Sequence, residues 1–113
     1  MTLPSNEKIR SYTFLREMER DTYFPNVLVK KGQQLLIDLC LEIERVKPVT
    51  TAALLDLTHA TTQAFNDLEE EFEEQGSQLE TVARDCIGSD FAFIAATYGF
   101  DVDVEELISN RDW

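Results

Sequence analysis

Thr50-Thr-Ala-Ala-Leu-Leu-Asp-Leu-Thr-His-Ala-Thr-Thr-Gln-Ala-Phe-Asn-Asp-Leu-Glu-Glu-Glu-Phe-Glu-Glu-Gln-Gly76 is the stretch on which the fold turns. Leu54, Leu57, Thr58, Thr61, Phe65, Leu68 and Phe72 recur three and four residues apart, so they share one face of a helix. Thr50 is placed to cap its start and Gly76 to stop it. Ser77-Gln-Leu-Glu80 follows with the spacing of a capping box, so a second helix is expected directly after the glycine.

Outward from that stretch the pattern stays helical. Leu79, Val82, Ala83, Cys86, Ile87, Phe91, Ile94, Ala95 and Tyr98 keep one phase across Gly88. The spacing therefore predicts a single helix with a kink or a close helix contact at the glycine, ending at Gly99. Asp103-Val-Glu-Glu106 opens a last short helix to about Asn110. On the N-terminal side, Leu35, Leu36, Leu39, Cys40, Ile43 and Val46 make the core stripe of a helix over 26–47, ended by Pro48. Ile9, Tyr12, Leu15 and Met18 predict a further helix over 9–21, stopping before Tyr23-Phe24-Pro25. The expected fold is all-α: one domain over 1–113, a compact antiparallel bundle of four main helices plus a short C-terminal one. Trp113, after Asn110-Arg-Asp, is expected to dock on the bundle.

Charge divides the chain. Residues 1–48 carry 8 Lys and Arg against 7 Asp and Glu, a net of +1, whereas 49–113 carry 2 against 15, a net of −13. The total of −12 disfavours sequence-general nucleic-acid binding, which needs cations on phosphates, and disfavours an anionic membrane surface. No apolar run approaches the ~18 residues of a membrane span. The N-terminus lacks the basic-then-apolar order of a signal peptide. Cys40 and Cys86 have no metal-type spacing and read as free thiols on apolar helix faces, which fits a cytoplasmic protein.

The charge is densest at Asp67-Leu-Glu-Glu-Glu-Phe-Glu-Glu74. The pairs Asp67–Glu70, Asp67–Glu71, Glu69–Glu73, Glu70–Glu73, Glu70–Glu74 and Glu71–Glu74 store roughly 1–3 kcal/mol of repulsion at ~0.2–0.5 each. The cluster also sits at a helix C-terminus, where the macrodipole is already negative. Three readings follow: a solvated end neutralised by Lys30, Lys31, Arg45 or Lys47, a surface for a basic protein formed by Asp67, Glu69, Glu70, Glu73 and Glu74, or a divalent-cation site. An all-α metal-dependent hydrolase would take one acidic pair from Glu70-x-x-Glu73 or Glu71-x-x-Glu74. Its second pair is missing, because Glu80, Asp85 and Asp90 are each five apart and spread around their helix. Asp56-Leu-Thr-His59 has the half-site spacing of a di-iron bundle. His59 is the only histidine, so that pattern is incomplete too.

Asp90 falls on an apolar stripe, and a buried carboxylate needs partners. If the helices on either side of Gly76 mirror each other, Asp90 lies near His59, Thr61 and Thr62. Asp90 is accordingly expected to be tied to His59, or to Thr61 or Thr62, across that interface, or to form a pocket with His59. Phe93 lies off the main stripe and is placed to line a groove.

Thr58-His-Ala-Thr-Thr62, Asn66-Asp-Leu-Glu69, Ala83-Arg-Asp-Cys-Ile-Gly-Ser-Asp90, Tyr98-Gly-Phe-Asp101 and Asn110-Arg-Asp-Trp113 resemble a family of small, acidic, uncharacterised bacterial proteins. The resemblance runs from about Phe14 to the end. It implies a compact helical domain and a complete chain ending at Trp113, and brings no activity, cofactor or catalytic residue. The expected function is a non-enzymatic acidic interaction module without cofactor, one concrete form being an immunity- or inhibitor-type protein that neutralises a cationic enzyme. A divalent-cation-binding protein or hydrolase using Glu70, Glu73 and Glu74 is the alternative, and a homo-oligomer pairing the near-neutral half with the acidic half is a third.

Overall fold

In the computed structural model, which describes residues 2–113, three long helices carry the structure: α3 (Asn26–Val46), α4 (Thr51–Glu74) and α5 (Thr81–Thr97). Three single turns complete it: α1 (Glu7–Arg10), α2 (Arg16–Glu19) and α6 (Val104–Leu107). No strand is present among the described residues.

α3 and α4 form the main antiparallel pair. Lys31 near the start of α3 meets Glu71 near the end of α4 at 2.6 Å, and Glu42 lies alongside Leu57 at the other end. Their apolar stripes bury Leu36, Leu39, Cys40 and Ile43 against Leu54, Phe65, Leu68 and Phe72. Complete burial of one such side chain contributes ~1.5–3 kcal/mol. Thr50 accepts a hydrogen bond from Ala53 N at 3.1 Å and caps α4 as expected.

Two glycines end helices by the same device. Gly76 (φ 78°) and Gly99 (φ 88°) sit in left-handed backbone. After α4, Ser77 N–H donates to Phe72 O at 2.9 Å and Gly76 N–H to Glu73 O at 3.0 Å. After α5, Phe100 N–H donates to Ala95 O at 2.9 Å and Gly99 N–H to Ala96 O at 3.1 Å. Both are Schellman motifs, which satisfy carbonyls that a helix end would otherwise leave unpaired.

The Ser77–Glu80 capping box does not form. The Ser77 amide is committed to closing α4, its hydroxyl is buried without a partner, and α5 starts only at Thr81, with Glu80 as an N-cap that makes no side-chain bond. α5 does run unbroken through Gly88, and the expected close contact is there. A Cβ on Gly88 would lie 3.3 Å from Val104 Cγ2 and 3.6 Å from Ile108 Cδ1, so the glycine seats α6 against α5.

The helix expected over 9–21 is a correction. It is two separate turns, α1 and α2, joined by 11–15, with Leu15 at φ 54° and ψ 36°. A left-handed non-glycine residue costs roughly 1–2 kcal/mol. Something must hold it, and the holding group comes from α5.

α4 and α5 are also not the mirrored hairpin that the short turn suggested. Their side chains meet where Phe65 and Phe91 pack edge to face at 6.1 Å. Elsewhere α6 and the C-terminal segment lie along α4. Asn66 binds both Asn110 O (3.0 Å) and Asp112 N (2.8 Å). Trp113 docks as expected, 6% exposed, with its ring 6.2 Å from that of Phe65.

Candidate functional site

Asp90 is 3% exposed, on the inner side of α5. Its Oδ2 accepts from Leu15 N–H at 2.7 Å and its Oδ1 from Tyr12 Oη–H at 2.7 Å. The Tyr12 ring stacks on Phe93 with centroids 4.0 Å apart and planes at 14°. Asp90 therefore clamps the N-terminal segment. Its charge-assisted bond to Leu15, worth ~1.5–3 kcal/mol, offsets the strained backbone there.

His59 is elsewhere. Its Nε2 is 2.8 Å from the Glu106 carbonyl, which can only accept, so that nitrogen carries the hydrogen. Ser109 Oγ is 3.2 Å from the same nitrogen, and Asn110 Nδ2 donates to the His59 carbonyl at 3.0 Å. His59 fastens the C-terminal segment to α4. The expected Asp90–His59 tie is thus replaced by two separate ones, because α6 occupies the place where a hairpin would have brought them together. Thr62 likewise turns to its own helix, donating to Thr58 O at 2.8 Å.

Burial raises the Asp90 carboxyl above its ordinary 3.8, and the bonds from Leu15 and Tyr12 only partly offset this. The Tyr12 hydroxyl is pushed up to about 12, chiefly by burial and then by the Asp90 carboxylate that it binds.

A cavity of about 580 Å³ opens beside this clamp, lined by Ser11, Tyr12, Thr13 and Arg16 with Glu17 on one side, and by Val82, Asp85, Cys86, Ser89 and Asp90 on the other. The α5 contribution has a legible signal: Val82, Asp85, Cys86 and Ser89 recur at three, four and seven residues, one helix face. Nothing in the spacing of residues 11–17 marks them as its opposite wall. Cys86 is half-buried, and burial raises its thiol. Cys40 is fully buried and pushed up to about 12 by burial. Both thiols are free.

The other candidate is the acidic end of α4. Asp67, Glu70, Glu73 and Glu74 are exposed and Glu69 half-buried. Among the described residues, the three ion pairs are Lys31–Glu71, Arg45–Glu42 and Arg111–Glu105. Of the four bases expected to neutralise this end, Lys31 alone pairs with it, while Arg45 is engaged by Glu42 on its own helix. The Glu69 carboxyl is raised by burial first, then by Glu73 and Asp112, with Arg84 acting against them. Asp112 belongs to this patch and was missed, because only the folded-back C-terminal segment brings it to α4.

Among the described residues, no group of three or more His, Cys, Asp or Glu side chains is placed to hold a metal ion. Asp56 is exposed, and the His59 Nε2 is hydrogen-bonded to the Glu106 carbonyl. No helix of the described residues is long and apolar enough to cross a membrane.

A model of a family of unknown function (DUF5713) matches residues 8–113. The chain belongs to that family. Neither the curated proteins nor the solved structures supplied a match. The family match is longer than the resemblance read from the motifs, and takes in the whole of 8–13. It includes Tyr12, Leu15 and Asp90 as well as the acidic end of α4. Outside it lie Ser5 and Asn6, whose amides donate to the Glu44 carboxylate at 2.8 and 3.2 Å. Tyr98 Oη–H donates to the same carboxylate at 2.6 Å.

Proposed function

We propose that the protein is a non-enzymatic interaction module whose acidic α4 end docks a basic protein surface in the cytoplasm. The observation that carries this reading is the ionic state of that end. Asp67, Glu70, Glu73 and Glu74 project into solvent beside half-buried Glu69, and none of the five forms an ion pair among the described residues. Like charges three and four apart on a helix oppose folding, and a cationic partner reverses the sign of that contribution. The net charge of −12 would also steer a basic protein toward the surface and accelerate encounter. An immunity- or inhibitor-type protein facing a cationic enzyme is the concrete form of this reading. The two free thiols support a reducing compartment.

The test is capture by wild type against a Glu69/Glu70/Glu73/Glu74→Gln variant at physiological salt. A basic protein retained by wild type and lost by the variant supports the proposal. The same proteins captured by both would sink it.

A further inference from the structure

We infer that the cavity between residues 11–17 and the α5 wall from Val82 to Asp90 binds a small organic cation, an amine or a guanidinium. Its volume of about 580 Å³ falls within the ~300–1,000 Å³ of small-molecule sites. Its charged lining is one-sided. Glu17, Asp85 and Asp90 face Arg16 alone, a net of −2. Glu17, Asp85 and Arg16 form no ion pair among the described residues. Buried Asp90 stands behind exposed Glu17 and Asp85, and carboxylates grouped around a concavity focus a negative potential that a convex helix face does not.

Asp90 makes this a built wall. It is nearly inaccessible, and a carboxylate has about four acceptor positions. The protein fills two of them, with Leu15 N–H and Tyr12 Oη–H. Both bonds hold the group rigid, so an arriving cation meets a carboxylate already oriented. The Tyr12 ring, held by Phe93, adds an aromatic surface of the kind that attracts cations. Arg16 on the rim disfavours a second positive charge and selects a monocation with a neutral or acceptor-bearing tail. None of these groups belongs to the acidic end of α4, so this site stands or falls independently of the proposed docking surface.

The probe is n-butylguanidinium, with n-butylurea as its uncharged isostere, titrated at constant ionic strength into the full chain while backbone amide NMR signals are followed. The expected result is saturable shifts at Leu15, Cys86, Ser89 and Asp90 with the guanidinium and none with the urea. A Glu17→Gln/Asp85→Asn variant changes only exposed side chains, so it should keep its melting temperature and bind about tenfold more weakly. The Glu69/Glu70/Glu73/Glu74→Gln variant should bind as wild type does. The inference is overturned by absent or non-saturating shifts, by equal shifts with n-butylurea, by unchanged binding in the Glu17/Asp85 variant, or by shifts confined to α4.

Discussion

Asp90 Oδ2 accepts the backbone N–H of Leu15 at 2.7 Å, across 75 residues of sequence. That one bond explains why the N-terminal segment is not the helix its periodicity suggests. Leu15 sits at φ 54° and drives its side chain, 1% exposed, into the core beside Gly32. The amide exposed by this turn and the Tyr12 hydroxyl converge on a single buried carboxylate.

Asp90→Asn should therefore destabilise the protein. An asparagine side chain presents one acceptor oxygen where two donors converge, so one donor is left facing an NH₂ group. The expected loss is about 1–3 kcal/mol by urea denaturation. The Leu15 and Tyr12 NMR signals should shift with it. An unchanged midpoint would show that the clamp contributes nothing.

The two buried glycines should respond differently to alanine. A Cβ on Gly32 would lie 2.8 Å from Leu15 Cδ1 and 3.2 Å from Phe65 Cε1, both in fully buried side chains. Gly32→Ala should cost about 1–3 kcal/mol through overpacking, against a gain of ~1 from helix propensity. At Gly88 the nearest atom is Val104 Cγ2 at 3.3 Å, on a short terminal turn that can shift. Gly88→Ala should stay within about 1 kcal/mol of wild type. Thermal melts of the two variants give the comparison directly.

Two carboxylates hold the N-terminal segment and should impart opposite pH dependence. Burial raises Glu44, but hydrogen bonds from Ser5 N, Tyr98, Asn6 N and Ser5 Oγ outweigh it and leave the group below its ordinary 4.5. Its stabilisation is present above 4.5 and lost as pH falls through the lowered value. Asp90 is raised from 3.8, so the folded state holds its proton longer. Its contribution is complete below 3.8 and declines as pH rises through the raised value. Relative to wild type, Glu44→Gln should be penalised more at pH 7 than at pH 3. The relative position of Asp90→Asn should improve as pH rises across the same interval. Stability curves of the three proteins check both signs.

The acidic end of α4 should be self-repelling when unbound. Glu69→Gln removes a carboxylate crowded by Glu73 and Asp112 and should stabilise by a few tenths of a kcal/mol, about one helix pair's worth. Glu71→Gln removes the exposed Lys31 pair and should lower stability by ~0–1 kcal/mol. Mg²⁺ and NaCl at matched ionic strength should raise the melting temperature equally. A rise specific to Mg²⁺ would point to a cation site instead.

The long helices were legible because their stripes are sustained: Leu36, Leu39, Cys40 and Ile43, then Leu54, Phe65, Leu68 and Phe72, then Ile87, Phe91, Ile94 and Ala95 are buried, whereas Leu57 and Thr61 are half-buried and Val46 and Val82, expected in the same stripes, are exposed. Gly76 and Gly99 marked the ends because their positive φ has a local cause. What escaped was set by distant partners. Tyr12 sits at helical spacing yet is 37% exposed, with its ring stacked on Phe93 and its hydroxyl bound to Asp90 from across the fold. Ser77 matched a capping box, but its amide completes the preceding helix. Asp90 was recognisable as a buried carboxylate in need of partners. Which partners it took depended on α6 lying along α4, and no spacing within α4 or α5 encodes that. Asp67, Glu70, Glu73 and Glu74 were readable as an exposed set from composition alone, whereas Asp112 joined them only through the tail.

The most direct test of the docking surface is the association rate of the basic protein captured by wild type, measured by stopped flow against ionic strength. The account predicts that wild type associates fast at low salt, with a rate falling steeply as salt rises. The Glu69/Glu70/Glu73/Glu74→Gln variant should associate at least about tenfold more slowly at low salt, with a nearly flat dependence. Identical rates and identical salt slopes for the two proteins would contradict it.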